Sequence, residues 1–125
     1  MVRILIADDH AVVRAGLRAL LEQHEGFRVV AEAANGEEAI AKAQEYHPDV
    51  AVLDIRMPGL NGFETIERLR EIPEIADTPV VVLSAWATSQ HTARAKALGV
   101  EWYITKPFNL DDLVNTVMDA YASRS

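Results

Sequence analysis

Cysteine is absent from the 125-residue sequence. Its absence excludes three classes of site: a disulfide framework, a thiol nucleophile and a zinc site built on thiolates. It also fits a reducing compartment, so we expect a cytoplasmic protein. The four histidines are spread too widely along the chain for a metal-ligand spacing, which argues against zinc. They are His10, His24, His47 and His91.

Long apolar runs and an excess of basic residues are also missing. Apolar runs such as Val80–Leu83 have only strand length, far short of the roughly 20 residues of a membrane span. Twelve Lys and Arg against 19 Asp and Glu give a net charge of −7, which repels a phosphate backbone. We therefore expect no membrane association and no direct binding of nucleic acid by this chain.

The composition that remains is that of a globular protein. Half of the residues are apolar and a quarter are charged, and a chain of this length can bury about two-thirds of its surface in one core. We expect a single domain over residues 1–121. Residues 122–125 then form a tail or the start of a linker.

Short apolar runs alternate with helical patterns along the chain. Five runs have strand length and are mostly continuous, as in parallel sheets that are buried on both faces. They are Val2–Ala7, Phe27–Ala31, Val50–Leu53, Val80–Leu83 and Trp102–Ile104. Arg28 interrupts the second run, which suits an edge strand.

Apolar residues at helical spacing lie between and after these runs. The last pattern is the clearest, with Asn109 as a natural N-cap, and Gly99 is placed to end the helix before it. Five β-α units with right-handed crossovers predict an α/β fold, a doubly wound three-layer sandwich with a flavodoxin-like parallel sheet. The common strand order for such a sheet is 2-1-3-4-5, and its ligand site lies beyond the carboxyl ends of the strands.

Polar residues follow four of the five predicted strands and so share that edge. They are Asp8, Asp9, Asp54, Ser84 and Lys106. Taken singly, each has an ordinary structural explanation: Asp8 or Asp9 as an N-cap of the first helix, Asp54 as a turn residue. Together, three carboxylates repel one another unless a cation lies among them, and oxygen ligands favour Mg²⁺. A lysine and a hydroxyl are the groups needed to hold a phosphoryl group, and Asp54 is the natural nucleophile.

These residues and their order resemble the receiver domain of two-component response regulators, the CheY-like family, over essentially the whole chain. The motifs that carry the resemblance are Asp8-Asp9, Asp54 with Met57-Pro58-Gly59, Ser84-Ala85 and Lys106-Pro107-Phe108. The resemblance implies that Asp54 accepts a phosphoryl group from a sensor histidine kinase or a phosphotransfer protein. It also implies a regulatory domain rather than a classical enzyme, one that catalyses only its own phosphorylation and dephosphorylation.

The resemblance implies a role for each residue of the site. Mg²⁺, for which Mn²⁺ can substitute, is held by Asp8, Asp9, Asp54 and the backbone carbonyl of Arg56. Lys106 contacts the phosphoryl oxygens, and its bond to Pro107 is expected to be cis. Ser84 and Tyr103 act as the switch pair. Phosphorylation then changes the surface formed by the fourth helix, fifth strand and fifth helix, through which homodimers are expected.

Two large residues depart from the commonest pattern of the family. Arg56 and Trp86 occupy positions that tune how fast the phosphoryl group arrives and leaves. We expect them to flank the site, to stack as a cation on an aromatic ring, and to restrict the attacking water.

The sequence gives mixed signals about which output domain the receiver controls. The stretch Ile4–Leu21 resembles receivers of LuxR/NarL-type transcriptional regulators with a fused DNA-binding domain, whereas Lys106–Leu113 is more similar to other subfamilies.

Two other classes of protein fit the sequence poorly. A dehalogenase-type phosphatase needs a second aspartate two residues after its nucleophile, and a flavin binder needs a phosphate loop after the first strand. A degenerate receiver that binds partners without phosphate remains the alternative.

Overall fold

Strands and helices alternate strictly along the chain in the computed structural model, which describes residues 1–56, 59, 61–84, 89–106 and 108–123, with the backbone only at 89–91. The strands are β1 (Val2–Ala7), β2 (Phe27–Ala33), β3 (Val50–Asp54), β4 (Val80–Ser84) and β5 (Trp102–Thr105). The helices are α1 (Ala11–Glu22), α2 (Gly36–Tyr46), α3 (Gly62–Glu71), α4 (Ser89–Ala97) and α5 (Leu110–Ala122).

The five strands form one parallel sheet in the order β2-β1-β3-β4-β5. Helices α2, α3 and α4 pack on one face and α1 and α5 on the other, so the core has two layers. Every residue of β3 and β4 is buried, which explains why their sequences are continuous apolar runs. The predicted α/β sandwich and its strand order are confirmed.

The edge strand β2 is longer than predicted. It runs to Ala33 rather than Ala31, because pairing with β1 continues through Glu32, which lies opposite Ile6. The prediction ended at Ala31 because a glutamate interrupts the apolar run. In the structure that side chain is only partly exposed and is paired with arginines of α1. Arg28 is exposed, as expected for an edge strand.

Local signals at the helix ends explain where α4 and α5 lie. Asn109 accepts a hydrogen bond from the backbone N–H of Asp112 at 2.8 Å, which confirms the predicted N-cap of α5. Gly99 has a φ of +79° and follows the C-terminus of α4. The N–H groups of Gly99 and Val100 donate to the carbonyls of Lys96 and Ala95, a Schellman arrangement. No helix of the described residues is long and apolar enough to cross a membrane.

Candidate phosphoacceptor site

The predicted site residues meet at the carboxyl edge of the sheet. β3 ends at Asp54 and β4 ends at Ser84, while Asp8 and Lys106 directly follow the ends of β1 and β5. The backbone N–H of Lys106 donates to the carbonyl of Ser84 at 2.7 Å, which fixes the end of β5 beside β4. Four neighbouring strands therefore each deliver one polar side chain to this edge.

Asp54 is held by two donors. Its side chain is 8% exposed, and its Oδ2 accepts a hydrogen bond from Lys106 Nζ at 2.7 Å. Its Oδ1 accepts one from the backbone N–H of Arg56 at 2.8 Å. The second contact resembles the turn role that the sequence also allowed for Asp54. The ammonium group and the amide fix the orientation of the carboxylate.

The backbone beside Asp54 is fixed by a close approach of α3. A Cβ atom at Gly62 would lie 2.5 Å from Ile55 Cα and 3.1 Å from the carbonyl oxygen of Asp54. Only glycine can start a helix this close to the strand end. The Gly62 N–H donates to the Ile55 carbonyl at 3.0 Å. Asn61 and Glu64 form a capping box around this start.

Asp8 is a fully buried carboxyl group of the site. Its side chain is fully buried, and only its Oδ1 has a donor, the backbone N–H of His10 at 2.8 Å. Its Oδ2 has no hydrogen-bond partner among the described residues. Burial raises the pKa of Asp8 above its usual range, and the nearby Asp54 carboxylate raises it further, against the lowering effects of the His10 amide and Lys106. A cation or a proton at this oxygen would compensate the buried negative charge.

Asp8, Asp9 and His10 form a compact group of potential ligands. One ligand atom from each lies within 4.8 Å of the others. His10 Nδ1 is 2.9 Å from Asp9 Oδ1 and 3.4 Å from Asp8 Oδ1. Two carboxylates, one of them with an unpartnered oxygen, fit a hard cation such as Mg²⁺. The wide spread of the four histidines does not predict a place for His10 in this group. The informative signal in the sequence is that His10 directly follows Asp8-Asp9.

The first helix is not capped by either aspartate. His10 occupies the N-cap position of α1, and no side chain of the described residues caps the helix there. The ordinary explanation of Asp8 or Asp9 as an N-cap is therefore wrong. Asp8 instead accepts the N–H of His10. The side chain of Asp9 is 29% exposed.

The remaining predicted residues are only partly described. Ser84 is buried at 2% exposure. Tyr103 on β5 is half-buried and packs against the core layer under α2, α3 and α4. Arg56 is exposed. Trp86 and Pro107 lie outside the described residues, so the stacking on Arg56 and the cis peptide stay predictions.

Known proteins share this architecture and this sequence pattern. The response regulator receiver domain pattern matches residues 4–118. Transcriptional regulatory protein YdfI of Bacillus subtilis (strain 168) is 36% identical over 120 residues, which cover 96% of this chain and 54% of the relative. Response regulator GacA of Pseudomonas viridiflava is 34% identical over 125 residues, covering 99% and 57%. The chain thus spans about half the length of these relatives.

Solved structures agree with the sequence relatives. The signal receiver domain of NarL from Mycobacterium tuberculosis superposes with a TM-score of 0.91 at 31% identity, covering 98% of each chain. A two-component response regulator of the LuxR family from Aurantimonas sp. SI85-9A1 gives a TM-score of 0.92 at 32% identity, covering 98% of this chain and 86% of that one. With the fold and the carboxyl-edge residues, these matches show that the chain belongs to the response regulator receiver domain family.

Proposed function

We propose that this chain is a phosphoacceptor of a two-component signalling system. Asp54 accepts a phosphoryl group from a phosphohistidine of a sensor histidine kinase or a phosphotransfer protein. The observation that carries the proposal is the 2.7 Å pair between Asp54 and Lys106, close to the buried oxygen of Asp8 that has no partner in the described part of the chain. A nucleophile, a fixed positive charge and a place for a cation are the parts that phosphoryl transfer needs.

Transfer makes one bond and breaks one bond. A carboxylate oxygen of Asp54 attacks the phosphorus, the new O–P bond forms as the P–N bond of phosphohistidine breaks, and the electron pair of that bond returns to the imidazole. The Arg56 amide holds the carboxylate in place during the attack. The Lys106 ammonium lies where it can stabilise the negative charge on the oxygens of the transferring phosphoryl group. The product is an acyl phosphate on Asp54.

The cation is assigned to the acidic pocket. Asp8, Asp9 and Asp54, with the backbone carbonyl of Arg56, are the groups that would hold Mg²⁺ or Mn²⁺. When bound, the cation neutralises charge on the phosphoryl oxygens. The buried Oδ2 of Asp8 supports this assignment, because it has no hydrogen-bond partner among the described residues. Burial, which raises the pKa of Asp8, also leaves its ionised form in need of compensation.

The phosphorylated state is proposed to be read out through Ser84 and Tyr103. Ser84 lies at the end of β4 and is paired in the sheet with Thr105 of β5. Its carbonyl accepts a hydrogen bond from the backbone N–H of Lys106. A phosphoryl group on Asp54 offers the Ser84 hydroxyl a new hydrogen-bond acceptor, and the Ser84 side chain moves towards it. Tyr103 then rotates into the space that Ser84 has vacated, which alters the surface formed by α4, β5 and α5. Contacts that form only in the phosphorylated state shift the equilibrium of the domain towards the conformation that makes them. We propose this surface as the site of homodimerisation.

Transcription is the proposed output. The relatives are about twice as long as this chain, and YdfI is named a transcriptional regulatory protein. The net charge of −7 makes this domain itself unsuited to binding DNA. We therefore propose that a separate, fused domain binds the nucleic acid.

Intact-protein mass spectrometry after incubation with acetyl phosphate tests the proposed chemistry. We expect one phosphoryl adduct that requires Mg²⁺, disappears in Asp54→Asn and persists in Asp119→Asn, which removes an exposed carboxylate from α5. An adduct that persists in Asp54→Asn would place the acceptor elsewhere.

The same experiment separates the proposal from its alternative. If no adduct forms from acetyl phosphate or from a phosphorylated histidine donor, under conditions that label another receiver, the chain is a phosphate-independent binding module. Retention of the acidic pair, Asp54 and Lys106 favours the phosphoacceptor.

A further inference from the structure

The loop that carries the acidic pair is held by a side chain from the following helix. α1 begins at Ala11 without a side-chain cap and without acidic residues in its first turn. Arg14, one turn into the helix, reaches back instead. Its Nη1 donates to the backbone carbonyl of Asp8 at 2.7 Å.

The Arg14 guanidinium is itself anchored by the edge strand. Glu32 on β2 places its Oε1 3.4 Å from Arg14 Nε, which is an ion-pair distance but not a hydrogen bond, since Nε has no hydrogen-bond partner among the described residues. The other oxygen of Glu32 accepts from Arg18 Nη1 at 2.8 Å. The Arg14 side chain is 20% exposed, so the contact is shielded from water. The backbone N–H of Asp8 also donates to the carbonyl of Ala33, the residue after Glu32.

We propose that Arg14 is a positioning residue for the cation site, with Glu32 as its anchor; the inference rests on the proposed function. The contact to the Asp8 carbonyl fixes the peptide plane between Asp8 and Asp9, and with it the directions of both carboxylates. Residues that orient metal ligands in this way typically change metal affinity by about 10–100-fold when they are replaced.

Glu32 also keeps the charge of Arg14 from replacing the cation. An unpaired guanidinium this close to Asp8 would partly neutralise the pocket and weaken its attraction for Mg²⁺. Pairing with Glu32 compensates that charge and leaves the guanidinium as a directional donor. A lysine at this position carries the same charge but has no planar fork that can donate to the Asp8 carbonyl while it faces Glu32 at ion-pair distance.

The test compares two arginine-to-lysine variants by calorimetric titration with MgCl₂ at constant pH and ionic strength. Arg70 is the matched control. It is half-buried and donates through Nη1 to the carbonyls of Ala76 and Thr78, at 2.8 and 2.7 Å, at the opposite end of the sheet. We expect Arg14→Lys to weaken Mg²⁺ binding about tenfold or more, and Arg70→Lys to leave it unchanged even if the protein is less stable. Circular dichroism confirms that each variant is folded.

A second pair of variants tests the anchor and covers a failure of Arg14→Lys to fold. Glu32→Gln keeps the size of the side chain, frees the charge of Arg14, and is expected to weaken Mg²⁺ binding. Arg14→Gln removes both the charge and the fork, and is expected to weaken it as well. Unchanged binding in Arg14→Lys and Glu32→Gln, or tighter binding in Arg14→Gln, would overturn the proposal, since the guanidinium would then act only as a nearby charge.

Failure of this inference is distinguishable from failure of the proposed function. A wild-type chain that does not bind Mg²⁺ contradicts both. A wild-type chain that binds Mg²⁺ as tightly as Arg14→Lys contradicts only the positioning role. Recovery of phosphorylation by Arg14→Lys at raised MgCl₂, with the same maximal extent as wild type, supports an effect on cation affinity rather than on transfer.

Discussion

Replacing Asp8 with asparagine is expected to stabilise the protein when no divalent cation is present. The carboxylate is fully buried and its Oδ2 lacks a partner among the described residues. A buried polar group without a partner costs about 1–3 kcal/mol. The neutral amide can instead donate to the neighbouring Asp54. We therefore expect Asp8→Asn to raise the free energy of unfolding by about 1–3 kcal/mol, which corresponds to a rise in Tm of roughly 3–10 °C.

The pH dependence of this difference has a definite sign. Because the pKa of Asp8 is raised from 3.8 in the folded protein, the native state binds a proton more readily than the unfolded chain. The stability of the wild type therefore falls as the pH rises from 3.8 through the folded-state pKa, and the full penalty applies above it. Asparagine does not titrate. The advantage of Asp8→Asn is largest at neutral pH and shrinks as the pH falls towards 3.8.

Urea denaturation in a chelator, repeated with MgCl₂, measures both effects. A concentration of Mg²⁺ tenfold above its dissociation constant stabilises the wild type by about 1.4 kcal/mol, and Asp8→Asn is expected to show little of this gain. Asp119→Asn, an exposed control with the same change of charge, should stay within about 0.5 kcal/mol of wild type. Equal or lower stability of Asp8→Asn in chelator, or an advantage that does not vary with pH, would refute the reasoning.

Three further variants test other parts of the site. Gly62→Ala is expected to lose about 1–3 kcal/mol of stability in urea denaturation, because its Cβ meets backbone at 2.5 Å, whereas Gly16→Ala, with open space in α1, should gain about 0.5–1 kcal/mol; equal effects would contradict the close approach. Lys106→Met is expected to slow labelling by acetyl phosphate at least about tenfold, and an unchanged rate in mass spectrometry would exclude the lysine from transfer. The Arg56→Ala, Trp86→Ala double variant should lose its phosphoryl group faster than wild type, and identical half-lives would disprove the shielding of water by these side chains.

The meeting of polar side chains at the carboxyl edge is largely predictable from the sequence because of the geometry of parallel sheets. Asp54 and Lys106 are 52 positions apart, yet each follows an apolar run, and all strands of a parallel sheet end at one edge. Any polar residue directly after such a run is brought to that edge. The orphaned oxygen of Asp8 cannot be predicted in the same way, because it depends on which backbone N–H groups reach the carboxylate.

The ion pair between Arg14 and Glu32 could not be predicted from the spacing of apolar residues. The helical spacing of four apolar residues, Val13, Leu17, Leu20 and Leu21, predicts the stripe of α1 that faces the core. Leu17 and Leu21 are buried and Leu20 is partly buried, whereas Val13 is exposed. The same spacing treats the polar residues of the helix as solvated. Whether Arg14 meets Glu32 depends on how α1 lies across β2, which the packing of the core decides. The same uncertainty shortened β2 in the prediction, since a glutamate near a strand end is as compatible with a loop as with a paired edge.

The pairing of Asp54 with Lys106 also has a consequence during synthesis of the chain. Asp54 leaves the ribosome more than fifty residues before its ammonium partner, and β5 can join the sheet only beside a completed β4. A nascent chain that has not yet produced β5 holds Asp54 without Lys106, whatever part of the sheet has already formed. The Asp54–Lys106 pair therefore forms only once the last strand has been made, so a copy that ends before β5 has Asp54 without its ammonium partner.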